Sequence, residues 1–414
     1  MRKSPVCRLI LLVLLAATAR AQKPGPEYFP PSDTAGGWRT LQDPARILRD
    51  TGIDVNRLDW ALDYAKRSSQ HGGLLVVRHG WLVYEKYWGK GHRDATPNVA
   101  SVAKTFTSVA AGIMLSEYKD RFPDGLETKI FTDPYLPEAL PLTDPRKADI
   151  KLGQILTMTS GMYESGGTGI VHGENVKLDP APAIDRSLGD LLALRLPMWT
   201  APGGGYNYCT TCLNAVSMLI HKVTGMRMQD YIEAKLAKPM QFGPWGYPPP
   251  RGAAANTHET PGGAGIAVRS TDMLRYAYML LHRGSWAKQQ LVPAAYMEMA
   301  AKPSPYNPHT PYSLQFEPNA DGHVPGVPRD AFFKSGAGGF GICVIPSLDL
   351  VIWKMGGNDA QYAWSPEGLQ DSFHYDGSRD TWKPHASNQF TDEPISTDEA
   401  LRHTIGMVVA AVMK

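Results

Sequence analysis

The chain has 414 residues, of which 43% are hydrophobic and 20% charged, and its formal net charge is +2. This composition is that of an ordinary globular protein with ample residues for a core, and it excludes an intrinsically disordered chain. A charge so close to zero, with no basic cluster interleaved with aromatics, argues against a nucleic-acid partner.

The first 21 residues have the pattern of a secretory signal peptide. Three basic residues occur within the first eight positions, residues 9–17 are apolar, and residues 19–21 read Ala-Arg-Ala, which is a typical cleavage site. The apolar run is too short to span a membrane, and no other stretch has the required length. The sequence therefore predicts an exported protein, periplasmic or secreted, with a mature chain that begins at Gln22 and has no membrane span.

The elements predicted next come from the N-terminal part of the mature chain. Residues 22–49, rich in proline and glycine near their start, predict an extended lead-in. Residues 54–68 carry apolar side chains at helical spacing and predict a surface helix. Two β-rich runs, residues 74–77 and 81–84, are joined through Arg-His-Gly and predict a hairpin.

The middle of the chain is mostly helical by its periodicity. After the helix that begins near residue 101, short helices are predicted over residues 187–194, 213–224 and 270–281. Residues 163–180 are glycine-rich and polar, and they predict a loop at the rim of a binding cleft.

Strand patterns return at residues 332–335 and 341–353, and a final helix with a capping box at Ser396 and Glu399 ends the chain. Residues 357–395 are polar, with little periodicity. Strands at both ends with helices between them predict an α/β (α+β) domain over residues 50–414. Its sheet comes from about residues 50–100 and 255–414 and is interrupted by a helical region over about 101–254.

A serine and a lysine at the start of the central helix are the main candidate for chemistry. Ser101 and Lys104 are three residues apart, so their side chains meet on one face of a helix. A lysine that loses its charge there can take the serine proton and so activate a nucleophile. Two other S-x-x-K sequences, at residues 116–119 and 285–288, lie at a helix end and in a turn, and we expect no chemistry from them.

A second candidate stretch is Lys334-Ser335-Gly336 on a predicted strand. This K-[ST]-G pattern places a cation and a hydroxyl along a substrate carboxylate or carbonyl. Residues 336–341 also match the G-x-G-x-x-G dinucleotide fingerprint, but that fingerprint requires a following helix, and a β run follows here. We therefore expect no nucleotide site.

The third stretch is the turn of residues 202–210, which delivers Tyr208. A tyrosine near the serine can act as a second proton carrier, its phenolate favoured by adjacent lysines; a tyrosine packed in a turn is the alternative.

Cys209 and Cys212 form a C-x-x-C pair without a second pair or a histidine motif, so a local disulfide or buried thiols are favoured over a metal site.

In this order the three stretches resemble the serine β-lactamase, penicillin-binding protein and esterase superfamily. The likeness is strongest to its class C β-lactamase-like branch, with the family VIII esterases and nylon-oligomer hydrolases, and covers roughly residues 50–360. Residues 156–162 (Leu-Thr-Met-Thr-Ser-Gly-Met) and 261–265 (Pro-Gly-Gly-Ala-Gly) belong to the same likeness. The resemblance implies a β-lactamase-like fold, with an antiparallel sheet flanked by terminal helices and an inserted helical region. It also implies an ester or amide hydrolase without metal or organic cofactor.

The resemblance also implies roles for individual residues. Ser101 matches the acylated nucleophile, Lys104 its base, and Tyr208 the tyrosine of the family's Y-x-N motif. The strand motif implies a substrate-binding role for Lys334, Ser335 and Gly336, and an oxyanion hole built from the backbone N–H groups of Ser101 and Ala337. The expected partner is a small-molecule or peptide-like ester or amide.

The resemblance also implies a substrate-binding role for Thr210. This residue departs from the pattern because β-lactamases have asparagine at this position, and its shorter hydroxyl cannot make the same amide contacts. Tyr-Cys-Thr is closer to the Tyr-Cys-Ser of nylon-oligomer hydrolases.

The alternatives that stay open are a β-lactamase or D-Ala-D-Ala carboxypeptidase and a catalytically silent binding protein on the same fold. An α/β-hydrolase is disfavoured because the chain has no G-x-S-x-G sequence.

Overall fold

The computed structural model describes residues 28–164, 167–180, 185–247, 258–363 and 397–413. The α-helices of these ranges are α1 (Pro44–Thr51), α2 (Val55–Ala65), α3 (Ala103–Glu117), α4 (Leu152–Leu156), α5 (Leu192–Arg195), α6 (Leu213–Thr224), α7 (Met228–Ile232), α8 (Ser270–Leu281), α9 (Ala294–Ala300), α10 (Asp359–Tyr362) and α11 (Thr397–Ala410). The strands are β1 (Gly72–Arg78), β2 (Trp81–Trp88), β3 (Gly167–Val171), β4 (Glu174–Leu178), β5 (Ser285–Trp286), β6 (Gln289–Gln290), β7 (Glu317–Pro318), β8 (Phe332–Gly336), β9 (Phe340–Ile345) and β10 (Leu350–Met355).

The main sheet is built from both ends of the chain. Its six strands follow the order β2-β1-β10-β9-β8-β7, and all of its pairs are antiparallel. The predicted hairpin is confirmed as β1 and β2, whose turn residues His79 and Gly80 have φ values of 52° and 71°, as a tight two-residue hairpin requires. The register then pairs Leu74 of β1 with Lys354 of β10.

Alternate side chains of β1 enter two separate cores. Leu74 and Val76 pack with residues of α2 and α11 on one face of the sheet. Leu75 and Val77 join the larger core on the other face, where α3 and α8 lie. Because successive strand residues point to opposite faces, a nearly continuous apolar run is what a sheet covered on both sides needs. The prediction of an antiparallel sheet flanked by terminal helices is confirmed.

Helix α3 crosses the larger core and is buried along most of its length, including its polar residues Lys104, Thr105, Thr107 and Ser108. It packs against α6 and α7, and the ring of Phe106 stacks on Tyr276 of α8 at a centroid distance of 3.8 Å. A helix enclosed in this way cannot move without disturbing the core, so residues at its start are held firmly in place.

Two expectations about local structure differ from the structure. The lead-in of residues 22–49 is not extended throughout, since α1 begins at Pro44. Asp43 accepts a hydrogen bond from the Ala45 N–H, proline occupies the first turn, and Gly52 ends the helix in the left-handed region, a full set of helix boundary signals.

The rim loop expected over residues 163–180 contains the β3–β4 hairpin instead. His172 and Gly173 connect the two strands with φ values of 48° and 85°, again a tight two-residue turn. The capping residue Ser396 and most of residues 357–395 lie outside the described ranges. No helix within those ranges has the length and apolar character that crossing a membrane requires.

Candidate active site

Ser101 lies in a short 3₁₀ turn, Ala100–Val102, that leads directly into α3. Ala100 has a φ of 50°, an unfavourable value for a residue with a side chain. The turn is held by neighbours: the Asn98 side chain accepts from the Ala100 N–H at 2.9 Å, and the Val99 N–H donates to the Ile266 carbonyl at 2.9 Å. The sequence prediction of a serine at the start of a buried helix is therefore confirmed.

Lys104 is brought directly onto Ser101. Its Nζ donates to Ser101 Oγ at 3.0 Å and also to the carbonyl of Gly263, and the side chain is fully buried. Burial lowers the pKa of Lys104 well below its ordinary value, the positive charge of Lys334 lowers it further, and the carboxylate of Glu164 opposes both. A neutral amine at this distance can accept the proton of the serine hydroxyl.

Tyr208 lies between the two lysines. Its hydroxyl accepts a hydrogen bond from Lys334 Nζ at 3.1 Å, and the Nζ atoms of Lys104 and Lys334 lie 4.9 Å and 4.7 Å from its ring centroid. The residue exposes 38% of its surface, but its hydroxyl faces Lys334 and Ser101. Burial raises the pKa of Tyr208 above its ordinary value, and the hydrogen bond with Ser101 opposes this. The direction of this shift favours the neutral phenol over the phenolate that the two adjacent lysines suggested from the sequence.

Lys334 projects from β8 and contacts a second phenol that sequence reasoning missed. Its Nζ donates to the Tyr312 hydroxyl at 2.6 Å, and that hydroxyl donates to Gln315 Oε1 at 2.7 Å. Burial lowers the pKa of Lys334 to about 7, against the opposing charges of Asp398 and Glu317. Tyr312 stands in Pro-Tyr-Ser-Leu-Gln, a sequence without a pattern that would have signalled this role.

The Lys334-Ser335-Gly336 strand passes next to the nucleophile turn because Gly336 has no side chain. A Cβ atom at Gly336 would lie 2.6 Å from the Val99 carbonyl oxygen. Ser335 is partly exposed and Ala337 is exposed beyond the end of β8. Within the described ranges, neither the Ser101 nor the Ala337 N–H donates to a protein acceptor.

Glu164 is a further residue that the sequence did not single out. Its two carboxylate oxygens accept the backbone N–H groups of Thr210 and Thr211, each at 2.8 Å. The same turn is closed by the Cys209–Cys212 disulfide, one of the two alternatives that the sequence favoured. Thr210, predicted to contact substrate through its side chain, thus has its backbone fixed beside Tyr208.

Two glycines of the Pro-Gly-Gly-Ala-Gly segment bring residues 261–265 against the turn after Tyr208. A Cβ atom on Gly262 would lie 2.1 Å from the carbonyl oxygen of Leu213, and one on Gly263 would lie 2.2 Å from the carbonyl oxygen of Thr210. This close backbone approach places the Gly263 carbonyl where it accepts from Lys104. The segment therefore connects the base to the tyrosine-bearing turn.

Within the described ranges, no group of three or more His, Cys, Asp or Glu side chains is arranged to hold a metal ion. Cys209 and Cys212 are bonded to each other, and Cys343 is a buried thiol. The side chains gathered at Ser101 are instead two lysines and two phenols, a set suited to proton transfer and to binding of developing negative charge.

The sequence profile of the Beta-lactamase family matches residues 63–355. The match covers more than half of the chain, so the chain belongs to the Beta-lactamase family, as the resemblance implied. A sequence comparison with curated proteins finds no match.

Several solved structures share this fold. EstCE1, a hydrolase with promiscuous acyltransferase activity, aligns at a TM-score of 0.58 with 15% identity over 85% of this chain and 98% of its own. Simvastatin synthase (LovD) from Aspergillus terreus aligns at 0.54 with 15% identity over 76% and 93%. The octameric penicillin-binding protein homologue from Pyrococcus abyssi aligns at 0.53 with 16% identity over 77% and 76%. At these identities the likeness establishes the fold.

Proposed function

We propose that this protein is a serine hydrolase that cleaves an ester or amide bond through a covalent acyl-enzyme on Ser101. The observation that carries the proposal is the 3.0 Å contact from the fully buried Lys104 Nζ to Ser101 Oγ. Burial lowers the pKa of this amine, which favours the neutral form that can accept the serine proton as the hydroxyl attacks a carbonyl carbon.

In the first step, the Ser101 Oγ–carbonyl bond forms while the hydroxyl proton passes to Lys104. The N–H groups of Ser101 and Ala337 receive the developing oxyanion, and each such donor stabilises the transition state by about 3–4 kcal/mol. Tyr208, a neutral phenol beside both lysines, passes a proton to the leaving group and is reprotonated through Lys104. Water then attacks the acyl-enzyme with the same groups acting in reverse.

Lys334 and Ser335 line the strand along which the substrate lies in this proposal, with Thr210 on the opposite side. Lys334 orients Tyr208 through the 3.1 Å hydrogen bond and supplies positive charge when protonated. The Thr210 position favours an esterase or amidase over a β-lactamase or D-Ala-D-Ala carboxypeptidase.

We also propose export to the periplasm or medium, which the Cys209–Cys212 disulfide supports because such bonds persist in oxidising compartments.

The test is the intact mass of the mature protein after exposure to a fluorophosphonate and, in a separate sample, to a penicillin. We expect a fluorophosphonate adduct on the wild-type chain and none on Ser101→Ala, because the reagent reacts only with an activated serine. The control is Ser116→Ala, which alters another S-x-x-K serine.

A stable penicillin adduct on Ser101 would move the assignment to the β-lactamase and carboxypeptidase branch. Folded wild-type protein that reacts with neither reagent would contradict the hydrolase and favour a binding protein on this fold.

A further inference from the structure

Gln361 is a buried amide that contacts both sides of the proposed oxyanion hole. It lies in α10, is 3% exposed, and follows β10 in the chain. Its Nε2 donates to the Asn98 carbonyl at 3.2 Å and to the Ala337 carbonyl at 3.1 Å. Asn98 precedes Ser101 in the nucleophile turn, and Ala337 follows the Lys334-Ser335-Gly336 motif.

The link to Ser101 continues through Asn98. The Asn98 N–H donates to the Gln361 carbonyl at 2.9 Å, so the two residues are joined by two hydrogen bonds. The Asn98 side chain in turn accepts from the Ala100 N–H at 2.9 Å and supports the unfavourable φ of 50° at Ala100. Gln361 thus acts through one intermediate residue, Asn98, on the backbone conformation that orients the Ser101 N–H.

Gln361 is itself held rigidly. Its N–H donates to the Asn358 side chain and its Oε1 accepts from the Asn358 N–H, each at 3.2 Å. A Cβ atom at Gly338 would lie 2.3 Å from Gln361 Oε1, so this glycine makes room for the amide. Both amide protons and the amide oxygen are therefore in use, and a glutamine side chain offers two donors of this kind where a carboxylate offers none.

We propose that Gln361 is a positioning residue, an inference that rests on the proposed hydrolase function. It fixes the distance between the Ser101 and Ala337 N–H groups so that both can donate to the same oxyanion. The two donors come from segments far apart in sequence, the nucleophile turn and the end of β8. A single amide that donates to a carbonyl in each segment sets their spacing. Preorganisation of such donors is what makes them effective, because little rearrangement is then needed as charge develops.

The test compares Gln361→Met with a matched control, Gln290→Met. Methionine has similar length but no donors. Gln290 makes the same kind of bridge in the small β6 strand, with Nε2 donating to the Arg283 and Val292 carbonyls at 2.7 Å and 2.5 Å. We measure kcat and KM for p-nitrophenyl butyrate, and inhibition by a boronic acid that forms a tetrahedral adduct on serine.

For Gln361→Met we expect kcat to fall by about 10- to 100-fold, and boronic acid affinity to fall in parallel, while KM changes by less than about threefold. For Gln290→Met we expect wild-type kinetics. A purely structural role for Gln361 would lower the melting temperature without weakening the boronic acid adduct of folded protein.

If Gln361→Met does not fold, Gln361→Glu decides the question. Its carboxylate cannot donate, but its protonated form can donate one hydrogen bond, so kcat relative to wild type should recover as the pH falls. An active wild type with equally active Gln361 variants would overturn this inference alone. A wild type that forms no Ser101 adduct would overturn the proposed hydrolase together with it.

Discussion

Two tyrosine hydroxyls share the amine of Lys334, but only Tyr208 is also close to Ser101. Tyr208 OH lies 3.1 Å from Lys334 Nζ, and Tyr312 OH lies 2.6 Å from the same atom. The Tyr312 hydroxyl donates its hydrogen bond to Gln315 Oε1, whereas the Tyr208 hydroxyl is hydrogen-bonded with Ser101. Comparing variants of the two tyrosines therefore separates a role in proton transfer from a role in orienting Lys334.

We predict that Tyr208→Phe lowers kcat for an ester substrate by about 10²- to 10⁴-fold, the usual contribution of a positioned acid or base. Tyr312→Phe removes the other phenol from Lys334 without touching Ser101, so we expect a loss below about tenfold. Steady-state kinetics on both variants, with near-ultraviolet circular dichroism to check packing, make the comparison. Equal losses would contradict proton transfer by Tyr208 and indicate that both phenols only orient Lys334.

The residues predicted from the sequence are those carried by short, local patterns. Ser101 and Lys104 are one helical turn apart, so their contact follows from helix geometry alone. Glu164, Tyr312 and Gln361 have no such pattern, since each reaches the site through contacts between distant segments. The direction of the Tyr208 pKa shift could not be read from the sequence for a related reason: two nearby lysines favour a phenolate, but burial of the hydroxyl raises the pKa.

At the level of elements, the site depends on how closely β8 passes the start of α3. The distance is set at Gly336, where a Cβ atom would be 2.6 Å from the Val99 carbonyl and 3.1 Å from Val102 Cγ2. The neighbour is a backbone oxygen of the strained nucleophile turn, which cannot rotate aside as a side chain would.

We predict that Gly336→Ala lowers kcat/KM by about 10²-fold or more, because a displacement near 1 Å between strand and serine separates the groups that must act together. The matched control is Gly406→Ala in α11, where no heavy atom lies within 4 Å of the new Cβ and where alanine favours the helix by about 0.5–1 kcal/mol. Kinetics and thermal melts of both variants test this. A fully active Gly336→Ala would show that the strand can shift without cost.

The long, periodic elements were predicted well and the irregular ones poorly. Helix α8 was predicted at its observed bounds, residues 270–281, because its apolar spacing is regular. The β3–β4 hairpin was expected to be a loop because residues 163–180 are glycine-rich and polar, and four of the five residues of β4 are exposed. The positive φ values at His172 and Gly173 and the antiparallel pairing of Val171 with Glu174 define the turn in the structure.

For the molecule as a whole, four buried lysines make the free energy of unfolding depend on pH. Burial lowers the pKa of Lys334 and Lys354 to about 7, that of Lys147 to about 8, and that of Lys104 well below its ordinary value. In the unfolded chain these amines titrate near their ordinary value of about 10.4. Between about pH 7 and 10 the unfolded state therefore binds more protons, and stability rises with pH.

We predict that the free energy of unfolding of the wild type increases from pH 7 to pH 9, by at most about 2.7 kcal/mol for each such lysine. Lys354→Met should show a smaller increase because one of these lysines is absent, and the exposed Lys119→Met should behave as the wild type does. Urea denaturation at the two pH values measures this. A wild-type stability that is flat or falls over this range would contradict protonation-linked stability from the buried lysines.

The pairing of β1 with β10, which joins Leu74 to Lys354, has a consequence for the order of folding. The middle of the main sheet cannot close until nearly the whole chain is present, and closing so long a loop is slow compared with forming local hairpins and helices. Until then the β1–β2 hairpin exposes an unpaired edge, a surface prone to pairing with other chains. A polypeptide emerging from a ribosome or a translocation channel would therefore depend on chaperone protection until its last strand arrives.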